Sequence, residues 1–399
     1  MATCVLACSA AFAAPAPDAW TLDTALKAAL STHPEILGKR ALAVAADAEK
    51  KGAEWQRFPT PTLEADGRYT QSARLDQPLW TGGRITAGID AAGFRQDAAT
   101  ASTAESRRDI ALRVVSAWVE AQRQQLRQGY AVEGVKDHEK LLKLIGNRVE
   151  REVSPPVDRD FAKSRLLQAL NDLSVVTQSL AAARTQLGQL VGSPVGKLST
   201  VTETVTPPVS LDLALEQAIA RSPSLQRLAA EEQAAGQDIV SKRSSLMPQV
   251  SLRLQRDSGD PLYTRQDSRA MLVVSAQPGA GLSSLAGVDA AVARRESARL
   301  GRETALRDLQ QQLTLDWDEF VAARLRLENA RLSQGMATEV FDSYARQYTT
   351  GRKTWIDVLN AARERTSSNM AEADALAQMT AAALRLGIRM GGSILPAAE

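Results

Sequence analysis

From residue 22 the apolar positions Leu22, Leu26, Leu30, Ile36 and Leu37 fall at helical spacing; Pro34 breaks the run near residues 31–33, and Pro59 and Pro61 stop it after about residue 58. The period then changes from 3.6 to 2. Leu63, Ala65, Gly67 and Tyr69 alternate with Glu64, Asp66 and Arg68, and Ala73, Leu75 and Leu79 alternate with Arg74 and Asp76. Two strands over about 62–80 follow, with one apolar and one charged face. Trp80-Thr81-Gly82-Gly83-Arg84 punctuates a return to helix, and Ile110, Val114, Trp118, Leu141, Leu144, Ile145 and Val149 keep helical spacing to about residue 152. At the helical rise that run reaches roughly 100 Å. Its apolar stripe is narrow, as in coiled coils. A turn at 153–157, with Pro155-Pro156, leads into a returning helix over about 158–191.

The whole pattern is written twice. Leu22-Asp23, Ala25-Leu26, Ala29, Pro34, Ala41, Pro59 and Leu63 recur 189 positions later as Leu211-Asp212, Ala214-Leu215, Ala218, Pro223, Ala230, Pro248 and Leu252. Further on, Ala87-Gly88-Ile89-Asp90 recurs as Ala286-Gly287-Val288-Asp289, and Leu187-Gly188 as Leu386-Gly387, now 199 positions later. Repeat 1 therefore spans 20–192 and repeat 2 spans 211–391, with a Gly, Thr and Pro-rich linker over 193–210 and a tail over 392–399. In repeat 2 the strands are expected over about 249–277, the long helix over 282–347, the turn over 348–354 and the returning helix from 355 to 390. The ten extra residues are expected in the polar segment 257–267, a surface loop that tolerates insertion.

Composition sharpens this picture. Aromatic residues make up 4% of the 399, too few large side chains for a thick globular core, so the interior is thin or built by several chains. With 48 basic and 46 acidic residues spread along the chain, there is no electrostatic footprint for nucleic acid. Both cysteines, Cys4 and Cys8, lie in an apolar small-residue run that ends in Ala11-Phe12-Ala13, which reads as a signal peptide over 1–13. No Lys or Arg precedes that run, so the start reads as truncated or misassigned, and Val5-Leu6-Ala7-Cys8 is a lipoprotein-like alternative. No later stretch supplies the roughly eighteen consecutive apolar residues of a membrane helix. An exported protein of this kind would cross a membrane by strands.

The strand pairs have two readings: a hairpin on a soluble core, or the wall of a membrane barrel with lipid on one side and water on the other. The leader favours the second. Four strands cannot close a barrel that begins at about eight, so the barrel reading requires several chains.

Catalytic and ligating constellations are missing. His33 and His138 stand on different helices without metal-spaced companions. Gly192-Ser193-Pro194-Val195-Gly196-Lys197-Leu198 fails as a phosphate loop on both glycine spacing and the residue after Lys197. No enzyme activity and no cofactor are expected.

The tandem repeat, the hairpin exit Gln77-Pro78-Leu79-Trp80-Thr81-Gly82-Gly83-Arg84 and the segment Tyr348-Thr349-Thr350-Gly351-Arg352-Lys353-Thr354-Trp355-Ile356-Asp357-Val358-Leu359-Asn360 resemble the TolC-like outer-membrane duct family. The match covers nearly the whole chain after the leader. The wording of the turns, Ser154-Pro155-Pro156-Val157-Asp158 and Gly351-Arg352-Lys353-Thr354-Trp355, is similar to the branch serving type I secretion of large adhesins. The resemblance implies a mainly α fold with a membrane β-barrel part: a homotrimer in outer-membrane lipid, four strands per chain, with long helices forming a hollow cylinder in the periplasm. It implies a passive conduit for an exported protein, fed by an inner-membrane ABC transporter through a periplasmic adaptor. Drug or metal efflux is the alternative within transport, and a periplasmic coiled-coil scaffold without a pore is the alternative outside it.

The same resemblance implies a periplasmic gate in which Asp158 is a constricting carboxylate and Tyr348 and Lys353 are its aromatic and basic partners. Asp357 matches a ring-forming carboxylate, which in a trimer places three like charges around one axis. The family's second carboxylate, one helical turn on, is Asn360 here. Asp357 equally reads as an N-terminal charge favoured by the helix dipole. Ser154, Pro155, Gly351, Arg352 and Thr354 form the turns and the adaptor-docking tip, and Pro78, Gly82 and Gly83 the barrel-to-helix junction.

Overall fold

The structure, a computed structural model, describes residues 19–66, 70–199, 210–259, 267–276, 280 and 283–391. The leader, both cysteines, Gly67, Tyr69 and the tail lie outside these residues.

The elements run α1 (Leu22–Thr32), α2 (Pro34–Trp55), β1 (Thr60–Asp66), β2 (Thr70–Trp80), α3 (Arg84–Glu150) and α4 (Pro156–Val191), then α5 (Leu211–Ala220), α6 (Pro223–Ser244), β3 (Gln249–Gly259), β4 (Asp267–Ser275), α7 (Ser283–Thr349) and α8 (Trp355–Arg389). The duplication is visible in the element ends. α2 and α6 start and stop 189 apart, and α3 and α7, both of 67 residues, start and stop 199 apart.

The extra length is confined to the strand hairpins but is not gathered in one loop. β3 is four residues longer than β1, segment 260–266 replaces 67–69, segment 276–282 replaces 81–83, and β4 is two residues shorter than β2. The expectation of a single insertion at 257–267 is corrected accordingly, because β3 stays paired with β2 up to Gly259. The helix turns are also tighter than the sequence suggested. Pro156 and Val157 belong to α4, since proline at a first helical position forfeits no hydrogen bond. Tyr348 and Thr349 still belong to α7.

The chain divides into two compact units. Residues 34–109 and 212–314 form the strand-bearing unit; 1–33, 110–211 and 315–399 form the unit that carries the helix turns.

In the strand-bearing unit the sheet order is β1-β2-β3-β4, all antiparallel, with β1 and β4 as open edges. Register places Leu75 opposite Leu254, Leu272 opposite Leu252 and Val274 opposite Val250, so one face is mainly apolar, with Gln77 and Arg256 also on it. That face is bare: Leu63 is 83% exposed, Leu272 63% and Val274 64%. The opposite face is knit by charge, with Arg253 Nε 2.6 Å from Asp76 Oδ1 and Arg269 Nη2 3.0 Å from Asp257 Oδ2. A sheet of this kind gathers its charged groups on one side and offers hydrocarbon on the other. Among the described residues no helix is long and apolar enough to cross a membrane.

In the helix-turn unit, Trp20 bridges to Leu198 in parallel, and the Gln125 amide closes on the Leu198 backbone, donating to its carbonyl at 2.9 Å and accepting from its N–H at 3.1 Å. Trp118, Ile110, Val114, Leu187, Leu384 and Ile388 are fully buried. Ion pairs tie α3 to α8: Asp374 accepts from Arg123 at 3.0 Å and from Arg127 at 3.1 Å.

Candidate functional site

The expected site residues gather at three places: the α3–α4 tip, the α7–α8 tip, both in the helix-turn unit, and the hairpin exit in the strand-bearing unit.

The tips share one backbone. At the first, the Val153 N–H donates to the Arg148 carbonyl at 2.9 Å and Glu152 N–H to Val149 at 3.0 Å; at the second, Arg352 N–H donates to Gln347 at 2.9 Å and Gly351 N–H to Tyr348 at 3.1 Å. This is the Schellman ending, which requires a left-handed residue after the helix. Gly351 supplies it at φ 76°, and Glu152 adopts it at φ 59°. A side chain there carries a steric cost that glycine does not.

The helix starts differ. The displacement of 199 pairs Pro155 with Thr354 and Asp158 with Asp357. Thr354 Oγ1 accepts from the Asp357 N–H at 3.3 Å, while Asp357 Oδ2 accepts from the Thr354 N–H at 3.2 Å and from its hydroxyl at 2.8 Å. This reciprocal box satisfies donors that a helix start leaves open. The Thr354 hydroxyl chiefly, then its N–H, and more weakly the Lys353 charge hold the Asp357 carboxyl below its ordinary range. Pro155 offers no such side chain, so Asp158 has nothing to pair with locally. Asp158 is buried, and among the described residues its carboxylate has no partner. Ser154 is half-buried beside it, with Pro155 exposed.

Packing between the tips rests on Tyr348, which is buried with Leu141, Ile145, Phe341, Val358 and Leu359. The Arg148 guanidinium lies 4.7 Å from the Tyr348 ring, and the Lys353 ammonium 4.1 Å from the Tyr344 ring. Phe161 of α4 meets Trp355 of α8 edge-on at 5.2 Å. The Tyr348 hydroxyl is buried without a hydrogen-bond partner among the described residues. Within one chain, then, Tyr348, Lys353 and Asp357 cluster at one tip, and among the described residues no hydrogen bond or ion pair joins Asp158 to either of its expected partners.

Arg148, Tyr344 and Phe161 were not singled out from sequence. Tyr344 and Tyr348 stand one helical turn apart, a spacing that puts both rings on one face and was available to find them.

At the hairpin exit, Pro78 sits at a register shift between β2 and β3, where the ladder tolerates a residue without an N–H. Gly82 and Gly83 both have positive φ, at 59° and 91°. A Cβ on Gly82 would come within 3.1 Å of Met247 Sδ, and its carbonyl accepts from the Ser244 hydroxyl at 2.6 Å. These contacts pin the start of α3 to the end of α6.

The sequence model of the family described as "Outer membrane efflux protein" matches residues 25–193 and again 214–392. Comparison with curated protein sequences finds no significant match. Among solved structures, the outer-membrane channel OprN superposes with a TM-score of 0.82 at 18% identity, covering 94% of this chain and 91% of that one. The outer membrane protein VceC of Vibrio cholerae gives 0.78 at 16% identity, over 94% and 96%. The MtrE outer membrane channel of Neisseria gonorrhoeae, in its open state, gives 0.79 at 16% identity, over 94% and 89%. With the double family match, the duplicated helix and strand order and the one-sided apolar sheet in hand, the chain belongs to the outer membrane efflux protein family, the TolC-like channels of the bacterial outer membrane.

Proposed function

We propose that the protein is the passive outer-membrane channel of a tripartite type I secretion system, passing a large exported protein such as an adhesin from an inner-membrane ABC transporter and periplasmic adaptor to the cell exterior. The observation that carries the conduit is the sheet: four strands with two open edges, one bare apolar face and one ion-paired face. Unpaired edges in lipid are costly, so further copies must supply their partners. Three chains would close a twelve-stranded barrel with the charged face around water.

On this reading repeats 20–192 and 211–391 each give one hairpin to the wall and one helix turn to the periplasmic tip, joined by the linker 193–210. Asp158, Tyr348, Lys353 and Asp357 form the gate. Asp158, whose carboxylate has no partner among the described residues, is available to a neighbouring copy. Ser154, Pro155, Gly351, Arg352 and Thr354 face the adaptor.

The secretion branch rests on the wording of the two turns. Drug or metal efflux is the second reading, favoured by the description of the matching family. A strain lacking the gene separates them: loss of surface adhesin with unchanged susceptibility to antibiotics and metals supports secretion, and the opposite outcome supports efflux. Planar-bilayer conductance tests the conduit itself, since a scaffold without a pore gives none.

A further inference from the structure

Away from the gate, α3, α4 and α8 enclose a cleft of about 330 Å³ in the helix-turn unit. Its lining carries several charged side chains. Arg127 and His138 come from α3, Arg165 and Asp172 from α4, and Arg363 from α8. The Arg127 guanidinium is held by Asp374 at 3.1 Å. Among the described residues neither Arg165 nor Arg363 has a carboxylate partner; Arg165 only donates to Gln168 at 3.1 Å and stacks on Phe161.

His138 is 6% exposed, lines the cleft, and its Nδ1 is buried without a hydrogen-bond partner. A buried imidazole nitrogen without a partner is costly unless a ligand or water meets it. Burial first, and the Arg165 charge second, push His138 below its ordinary pKa, so it stays neutral and able to donate or accept. The hydroxyls of Thr366 and Ser367 line the α8 side. Gly134 lets that side come close, since a Cβ there would lie 2.9 Å from Thr366 Oγ1. Val176 and Met370 supply an apolar floor.

We propose that this cleft binds a small monocarboxylate with an apolar body, its carboxylate between Arg165 and Arg363 and its body against Val176 and Met370. Guanidinium groups match carboxylates in charge and geometry, and pockets of a few hundred cubic ångströms with a few convergent polar groups suit small ligands. With Arg127 neutralised by Asp374, Arg165 and Arg363 against Asp172 leave one positive charge. A monoanion balances it; a dianion exceeds it. A ligand seated there joins α3 and α4 to α8, and stabilises whichever arrangement of the helices it binds. The proposal concerns binding alone and stands apart from the cargo.

The test uses the full chain in lipid nanodiscs and calorimetric titration with 4-phenylbutyrate. Saturable binding of one molecule per chain is expected, with a dissociation constant of about a millimolar or tighter. The double variant Arg165→Gln, Arg363→Gln is expected to weaken it about tenfold or more, while the ligand-free thermal midpoint stays in place. The neutral analogue 4-phenylbutyramide, and phenyl phosphate above neutral pH, are expected to bind more weakly than the carboxylate. No saturable heat, binding indifferent to the double variant, or an amide or phosphate that binds as well as the carboxylate would each overturn the proposal. Conductance plays no part in the readout, so a failure here leaves the channel reading untouched.

Discussion

The two helix-turn-helix tips have the same backbone and different chemistry. The same pair of hydrogen bonds closes both, yet one turns on Glu152 and the other on Gly351, and one helix start is capped by Thr354 and Asp357 while the other begins on two prolines. The difference teaches that turn geometry follows from how a helix ends, whereas the fate of a charge depends on what precedes it. Asp357 is consumed by its cap. Asp158, at the matching position, is left for something else.

The comparison can be broken most forcefully at the packing residue. Tyr348→Ala is expected to cost about 3–5 kcal/mol of helix-turn unit stability, because it empties the aromatic centre of that cluster. The matching residue of the first tip is Val149, only partly buried, so Val149→Ala should cost clearly less. Chemical denaturation of the two variants decides, and equal losses would mean the second tip is not the better-anchored one. Tyr348→Phe should be close to neutral, since the hydroxyl is buried without a partner.

Capping comes next. Thr354→Ala should destabilise the start of α8 by about 1 kcal/mol, read as faster amide exchange in its first turn. Pro155→Ala has no side-chain cap to lose and should leave the α4 start unprotected as before. The cap is also acid-sensitive. Because the folded Asp357 carboxyl titrates below its unfolded value, its stabilisation is full above about pH 4 and is lost as pH falls through the lower folded value. Asp357→Asn should abolish that dependence, and exchange rates measured across the acid range would reveal any that survives.

The smallest effects lie in the turns. Glu152→Gly should stabilise the first tip, and Gly351→Ala destabilise the second, each by about 1 kcal/mol, as thermal midpoints can show. On the proposed gate reading, Asp158→Ala and Lys353→Ala should both raise single-channel conductance, each removing a charge that would be paired between neighbouring copies. Unchanged conductance in both would remove these residues from the gate.

Much of this was legible in the sequence. The two displacements, 189 and 199, located the repeats, the strand pairs and the long helices, because helical and strand periods report which face is apolar. Thr354-x-x-Asp357 could be read as a helix start for the same local reason. Other features depend on which faces meet after folding. Nothing near Lys353 says that it covers Tyr344 rather than Tyr348, or that Arg148, from another helix, covers Tyr348. The position of the extra residues was misread because a displacement counts residues without saying whether they extend a strand or a connection.

Equal length in α3 and α7 also constrains how such a chain can change over generations. One residue inserted between Ile110 and Arg148 would advance the rest of the helix by about 1.5 Å and rotate it by about 100°, carrying Arg148 off the Tyr348 ring. Deletions would do the same in reverse. Drift in length is therefore filtered out of the long rods and survives in the hairpins, where ten residues came to rest without disturbing a single helical register.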